Sequence, residues 1–316
     1  MVSKPHWHPS ASLEILRERA AIISKIRAFF TQQQYLEVET PILSQFGVTD
    51  VYLNNITAQL SGKAYYLQTS PEHHMKRLLA AGSGPIFQLA RVFRDDEIGR
   101  WHNPEFVMLE WYKLGIDHFA LMDEVEQFLQ AIIQSPPLLR KTYQQAFIAA
   151  CNLDPFSTNI TCLKQTLKYF NLANVLDQNE QDPNQYLFLL MTHVVEPFFR
   201  TQPIAIYNFP SSQAALSIVR NGVAERFEVY YHGIELANGF HELIDAKILA
   251  ARFNADLTKR QQLGIAIPNP DQYLQAALAH GLPACSGIAL GIDRLLTLAL
   301  GCKSISKAMA FDITRA

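Results

Sequence analysis

Three glutamates, Glu228, Glu235 and Glu242, recur seven residues apart within an apolar and aromatic run that starts at Arg226. Carboxylates gathered in such surroundings repel one another unless a cation lies between them. At about 4 Å and an effective dielectric near 20, that repulsion is roughly 4 kcal/mol. The pattern therefore suits a metal ion or a cationic ligand. A solvated acidic face is the plain alternative for any one of the three.

Phe227, Val229, Tyr230, Tyr231 and Ile234 favour strands, and His232-Gly233 suits a two-residue hairpin turn. With Tyr231 opposite Ile234, Glu228 faces Ala237 and shares a side with Glu235. A helix would instead align Glu235, Asn238 and Glu242, but Gly233, Gly239 and the β-branched approach oppose it. In a regular strand Glu235 and Glu242 point to opposite faces, being an odd number of residues apart. If both line one pocket with Asn238 and Phe240, the ladder must break between Leu236 and Gly239, most simply by a bulge.

A second gathering of charge lies at the mouth of a long antiparallel hairpin, with strands expected over 85–94 and 105–114. Its loop carries Arg94, Asp95, Asp96, Glu97, Arg100 and His102, and Phe106 stands just inside the second strand. An arginine that forks onto phosphate, a nearby histidine and an aromatic plate are parts of a nucleotide site. Near the end of the chain, residues 286–294 run from an apolar strand straight into a helix expected over 295–300. That places Arg294 at the sheet edge, where an anion docks. Ser70-Pro71-Glu72 opens a helix expected to reach residue 79, with proline in the first turn and Glu72 near the positive end of the dipole.

The elements around these residues follow from periodicity. A helix is expected over 12–34, with Leu13, Leu16, Ala20, Ile23, Ile26 and Phe30 as its stripe, and a short strand follows it, stopped at Pro41. Residues 118–199 read as helical, in segments near 120–133, 143–151 and 186–199. A strand over 203–209 precedes the glutamate hairpin, and helices over 245–263 and 270–280 follow it. His73 and His74 face opposite sides of one turn, and His193 reads as a core histidine. His6 and His8 read as incidental.

The whole chain bounds the answer. Its 316 residues, 49% hydrophobic and 18% charged, suit a globular protein with ample core. A net charge of −2 with no lysine/arginine block is a poor footprint for nucleic acid. No run reaches the ~18 residues of a membrane helix, and no leader is evident. Cys151, Cys162, Cys285 and Cys302 show no metal-binding spacing, so buried thiols in a reducing cytoplasm are expected.

Taken together, these stretches resemble class II aminoacyl-tRNA synthetases, and specifically the lysyl branch. Residues 28–41 resemble motif 1, residues 93–110 motif 2, and residues 287–294 motif 3. Ser70-Pro71-Glu72, His102-Asn103-Pro104-Glu105-Phe106 and the run from Glu235 to Glu242 match the lysyl enzymes most closely. The resemblance implies an α+β fold with an antiparallel sheet flanked by helices. It implies one catalytic domain over 1–316 with a helical insertion at about 117–200, and a homodimer joined through motif 1.

It further implies ATP and Mg²⁺ as cofactors, with residue roles carried over one by one. Arg94 would bind the α-phosphate and substrate carboxylate, and His102 a phosphate. Asn103 would contact adenine, Phe106 would stack on it, and Arg294 would meet the γ-phosphate. Asp95, Asp96, Leu236 and Gly291 would line the nucleotide. Glu228 and Glu235 would hold Mg²⁺. Glu72 would bind the substrate amino group, with Ser70 and Pro71 beside it. Glu110, Tyr112, Asn238, Phe240 and Glu242 would hold a lysine ammonium.

Departures refine the resemblance. Motif 1 begins about thirty residues in, so no anticodon-binding domain and no tRNA partner are expected. The motif 2 run reads Arg94-Asp95-Asp96 where arginine, asparagine and glutamate are usual. Ser70 replaces an alanine and Ala289 a glycine. These features resemble the elongation factor P lysyl ligase family, whose members activate (R)-β-lysine, or more weakly lysine, and join it to a lysine of that factor. A ligase acting on tRNA or another amine and a silent regulatory paralogue remain as alternatives.

Overall fold

The computed structural model describes residues 7–95 and 98–316; His6, Asp96 and Glu97 lie outside the described residues. In chain order the elements begin with α1 (Leu13–Gln32), β1 (Leu36–Glu37), β2 (Leu43–Ser44), β3 (Thr57–Leu60), β4 (Lys63–Leu67) and α2 (Glu72–Ala80). β5 (Ile86–Phe93), β6 (Glu105–Leu114), α3 (His118–Ile133), β7 (Leu139–Thr142), α4 (Tyr143–Cys151), α5 (Ile160–Tyr169) and α6 (Pro183–Leu190) follow. After a π turn, Met191–Val195, come α7 (Glu196–Phe198), β8 (Ile204–Pro210), β9 (Val219–Arg220), β10 (Val223–Tyr231) and β11 (Ile234–His241). The chain closes with α8 (Ala246–Gln262), α9 (Gln272–Gly281), β12 (Cys285–Gly291) and α10 (Ile292–Ala299). Two compact units result: Met1–Ile116 with Ala131–Ile133 and Glu242–Ala316, and Asp117–Gln130 with Gln134–His241.

In the first unit β1 runs parallel to β5, and β5, β6 and β12 pair antiparallel in that order. Alternation gives β6 two faces. On one, Trp111 meets α1, whose Phe30 stacks on Phe87 with ring centres 4.7 Å apart and lies 5.2 Å from Trp111. Phe106, Met108, Glu110 and Tyr112 share the other face. Burial on both sides explains why β5 is almost continuously apolar. The Asp293 carboxylate, 1% exposed, accepts from the Val107 amide at 2.7 Å and pairs with Arg19 of α1 at 2.6 Å. One buried charge thus ties α1, β6 and α10 together. α10 starts at Ile292, so Arg294 lies inside its first turn rather than ahead of it.

In the second unit β7 runs parallel to β8, while β8, β10 and β11 pair antiparallel. Tyr143, Phe147, Leu163, Leu167, Tyr186 and Phe209 build its buried core. His232 and Gly233, at φ 54° and 72°, close the β10–β11 hairpin with the left-handed pair that such turns demand. Tyr231 faces Ile234 as expected. Tyr230 then pairs with Glu235 and Val229 with Ala237, so Leu236 is an extra residue. This bulge carries Glu228 opposite Asn238 instead of Ala237. It also puts Glu235, Asn238 and Phe240 on one half-buried face, as the odd spacing requires.

Residues 118–199 are less uniformly helical than their composition suggests. β7 interrupts them because its alternating side chains pair with β8, and α5 is a further helix whose N-cap is Asn159. The last expected helix loosens into the π turn, which leaves His193 exposed rather than in the core. Of the four free cysteines only Cys285 is buried. Cys162 is exposed, because α5 turns its Leu163 and Leu167 side inward. No helix among the described residues is long and apolar enough to cross a membrane.

Candidate active site

In the first unit Ser70, Glu72, Glu110, Tyr112 and Glu242 come together. Pro71 caps α2, and the Ser70 hydroxyl accepts from the Glu72 amide at 3.0 Å while donating to the Glu110 carboxylate at 2.5 Å. Tyr112 donates to the other oxygen of Glu110 at 2.8 Å. Glu110 and Glu242 are each 1% exposed. Between Glu72 and Glu242 lies the ammonium of Lys76, 2.6 Å from each. Lys76 was not among the residues singled out by sequence, where it reads as an ordinary surface partner of Glu72 one helical turn away.

The charges explain the protonation. Burial opposes ionisation of Glu72, but the Lys76 ammonium and His73 together outweigh it and hold the carboxyl below its ordinary range. Lys76 itself is desolvated, yet Glu242 and Glu72 together raise its pKa. Glu110 has no such partner; burial, with the Glu72 charge behind it, pushes its pKa up to about 8. Burial likewise lifts Glu242 to about 7, against the pull of Lys76. Three carboxylates and one ammonium leave the pocket short of positive charge.

A pH dependence follows. A cationic ligand favours the ionised carboxyls, so binding expels the protons that Glu110 and Glu242 hold near neutrality. The affinity for such a ligand rises with pH through the window of about 7 to 8 set by the two groups. It changes by up to about tenfold per pH unit below the governing pKa. Without ligand the stability effect has the opposite sense. Carboxyls with raised folded pKa values stabilise fully below their unfolded values, and that contribution is lost as pH rises through about 7 and 8. Michaelis constants and unfolding temperatures from pH 6 to 8.5 check both signs; a flat Michaelis constant contradicts the assignment.

The residues expected to meet a nucleotide lie at the β5–β6 loop, on β6 and at the start of α10. β5 and β6 pair from Phe93–Glu105 inward, and the Arg94 amide bonds to the Pro104 carbonyl at 2.9 Å. The Arg94 guanidinium sits 5.4 Å from the centre of the Phe106 ring. Arg294 donates to His102 Nε2 at 2.7 Å and to the Trp101 carbonyl at 3.3 Å. A guanidinium only donates, so His102 Nε2 is unprotonated there. Gly291 is the cap of α10, and the Arg294 stem lies next to it. Asp95 is exposed. The Asn103 amide bonds to the Glu105 carbonyl at 2.6 Å and the Ile313 amide at 3.0 Å. It therefore holds the loop and the C-terminal segment together.

Ala289 pairs with Glu110 and, like Phe106, packs against the cluster of Ala90, Val92 and Met108. Gly287 pairs with Tyr112, and a Cβ there would lie 2.2 Å from the Tyr112 ring and 2.7 Å from Glu242 Oε1. The pocket exists because position 287 has no side chain.

In the second unit Glu228 accepts from Arg226 and from the Tyr230 hydroxyl. Burial holds its carboxyl above the ordinary range; Arg226 draws it down and the Glu235 charge pushes it further up. Phe240 lies 5.7 Å from the Arg226 guanidinium, and Leu236 is buried at the bulge. Asn238 Oδ1 is buried without a hydrogen-bond partner among the described residues, an acceptor suited to a cationic ligand. Glu228 and Glu235 thus offer carboxylate oxygens, the donor type that Mg²⁺ prefers. Arg226 was not read as a partner, although its i, i+2 relation to Glu228 puts both on one side of a strand.

Comparison with known proteins places these residues in context. The family described as tRNA synthetases class II (D, K and N) matches residues 6–315. The chain is 48% identical over 326 residues to a protein of Hamiltonella defensa subsp. Acyrthosiphon pisum named elongation factor P--(R)-beta-lysine ligase, covering all of both chains. It is 49% identical over 320 residues to proteins of the same name from Salmonella gallinarum and Salmonella typhi, covering 98% of each chain.

Proposed function

From a chain that belongs to the class II tRNA synthetase family, and within it to the elongation factor P--(R)-β-lysine ligases, we propose an ATP-dependent ligase. It activates (R)-β-lysine or lysine as an acyl-adenylate and transfers it to a lysine side chain of elongation factor P. The observation that carries this reading is the buried pair Glu110 and Glu242 beside the part-exposed Glu72, with Tyr112 orienting Glu110. A buried acidic pocket binds an ammonium group because water no longer competes for the charge.

The chemistry needs no protein nucleophile. The substrate carboxylate attacks the α-phosphorus and pyrophosphate leaves. The acceptor amine then attacks the acyl carbon, AMP leaves, and an amide forms with loss of one proton. Arg94 and Arg294 bind and orient phosphate groups, Phe106 stacks on the adenine, and His102 offers an imidazole to the phosphates. Rate comes from positioning and charge neutralisation. Glu228 and Glu235 would hold Mg²⁺, which supplies positive charge to the triphosphate. The retained arginines and carboxylates speak against a silent paralogue.

The family match over nearly the whole chain supports reading both units as one catalytic domain. Leu36 within motif 1 and Ile42 and Leu43 just after it are exposed, an apolar edge that supports a homodimer. Free cysteines and a translation-factor partner support a cytoplasmic setting.

ATP–pyrophosphate exchange tests the reading: stimulation by (R)-β-lysine or lysine is expected, and no stimulation by either overturns it. In the same assay Ala289→Gly is expected to shift preference toward α-lysine. One methyl group beside Glu110 gives about 1–3 kcal/mol of discrimination, and an unchanged β/α ratio removes Ala289 from that role.

A further inference from the structure

We propose a second cation site in the second unit, built from His118, Glu225 and His241 and suited to a transition ion such as Zn²⁺. One imidazole nitrogen from each histidine and one carboxylate oxygen all lie within 4.8 Å of one another. The two rings stack with centres 6.4 Å apart. His241 Nδ1 is 2.5 Å from one oxygen of Glu225, and Arg220 lies 3.3 Å from the other.

The decisive residue is His118. It is 4% exposed, and neither of its ring nitrogens has a hydrogen-bond partner among the described residues. The Asn208 side chain approaches the ring without hydrogen-bond geometry. A buried imidazole left without a partner is uncommon and calls for an explanation. It points to a ligand that accepts a nitrogen lone pair. Burial holds its pKa below the ordinary histidine value, which keeps that lone pair available for a metal.

The donor set selects the ion. Two imidazoles and one carboxylate suit Zn²⁺ or Co²⁺, whereas Mg²⁺ prefers oxygen alone. Tetrahedral coordination with bonds near 2.0 Å brings donors to about 3.3 Å apart, so the observed spread must close. His118 makes no hydrogen bond that opposes such a movement, and the His241–Glu225 hydrogen bond would be replaced by metal bonds. Its position at the start of α3 is unfavourable for a cation; the capping carboxylate of Asp117 offsets this. His241 lies on the face of β11 opposite Asn238 and Phe240, so this set is not the Glu228–Glu235 pair. His241 also immediately precedes Glu242, so an ion there would fix the end of the strand that leads to the amine pocket.

Co²⁺ provides a visible probe. Chelator-treated full-length protein in excess Mg²⁺ is titrated with Co²⁺, alongside His118→Met and Glu235→Gln variants. One equivalent with visible absorption is expected for the unaltered protein and for Glu235→Gln. The affinity of His118→Met should fall at least about 100-fold, the upper end of what losing an outer-shell partner costs. No absorption in the unaltered protein overturns the proposal, as does a His118→Met titration that matches it. If His118→Met does not fold, crystals of the unaltered protein soaked in Zn²⁺ decide. An anomalous peak between His118 and His241 supports the site, and its absence refutes it.

Discussion

Replacing Gly287 by alanine is expected to lower amino-acid activation about 100-fold while leaving ATP binding close to normal. The added carbon would stand 2.2 Å from two carbons of the Tyr112 ring and 2.7 Å from Glu242 Oε1. Neither neighbour moves at small cost. Tyr112 is 3% exposed and bonded to Glu110, and Glu242 is held by Lys76. The pocket must open by an ångström or more, and displacements of that size cost about 10²-fold in rate. Overpacking also lowers stability, by about 1–3 kcal/mol. Arg94, Phe106 and Arg294 are not neighbours of the new methyl group, so nucleotide affinity is spared. Pyrophosphate exchange, nucleotide titration and thermal unfolding separate the three effects. Exchange at the unaltered rate would mean that the clash relaxes without disturbing the pocket.

Glu242→Gln produces the second large effect. The change removes one of the two carboxylates that flank Lys76 and one of the three that would face a substrate ammonium. A hydrogen bond to a charged partner contributes about 1.5–3 kcal/mol. The Michaelis constant for (R)-β-lysine or lysine should therefore rise about ten- to 100-fold. Nucleotide binding should be nearly unchanged. Lys76 retains Glu72, so the protein still folds, with a lower unfolding temperature because a buried ion pair is lost. The pH dependence of the Michaelis constant should also flatten, since one of its two titrating carboxyls is gone. An unaltered Michaelis constant would show that Glu242 serves Lys76 alone.

Much of this site was legible because its residues impose local rules. Glu235 and Asn238 are an odd number of residues apart, so sharing a face demands a break in the ladder, and the bulge at Leu236 supplies it. The strand–loop–strand over 85–114 announces itself by apolar strands with a charged mouth. Ser70 was visible as a departure from the family, though its bond to Glu110 depends on β6. Other features arise only when distant segments meet. Lys76 is buried because Glu242, far along the chain, closes over it. Gly287 is indispensable because its register puts it opposite Tyr112. Asp293 reads as a helix-start acid, yet it bonds to β6 and α1. β7 was missed, and α5 was not told apart within the helical stretch, because short segments carry little periodicity and neighbours decide their state.

The acceptor remains the most direct test of the proposed function. Enzyme, ATP, Mg²⁺ and labelled (R)-β-lysine are mixed with either elongation factor P or tRNA, and the label on each macromolecule is measured. A chain with 29 acidic and 27 basic residues lacks the basic surplus that a tRNA partner exploits. The proposal predicts label on elongation factor P, stable as an amide at a lysine side chain. Label on tRNA with none on the protein would contradict it.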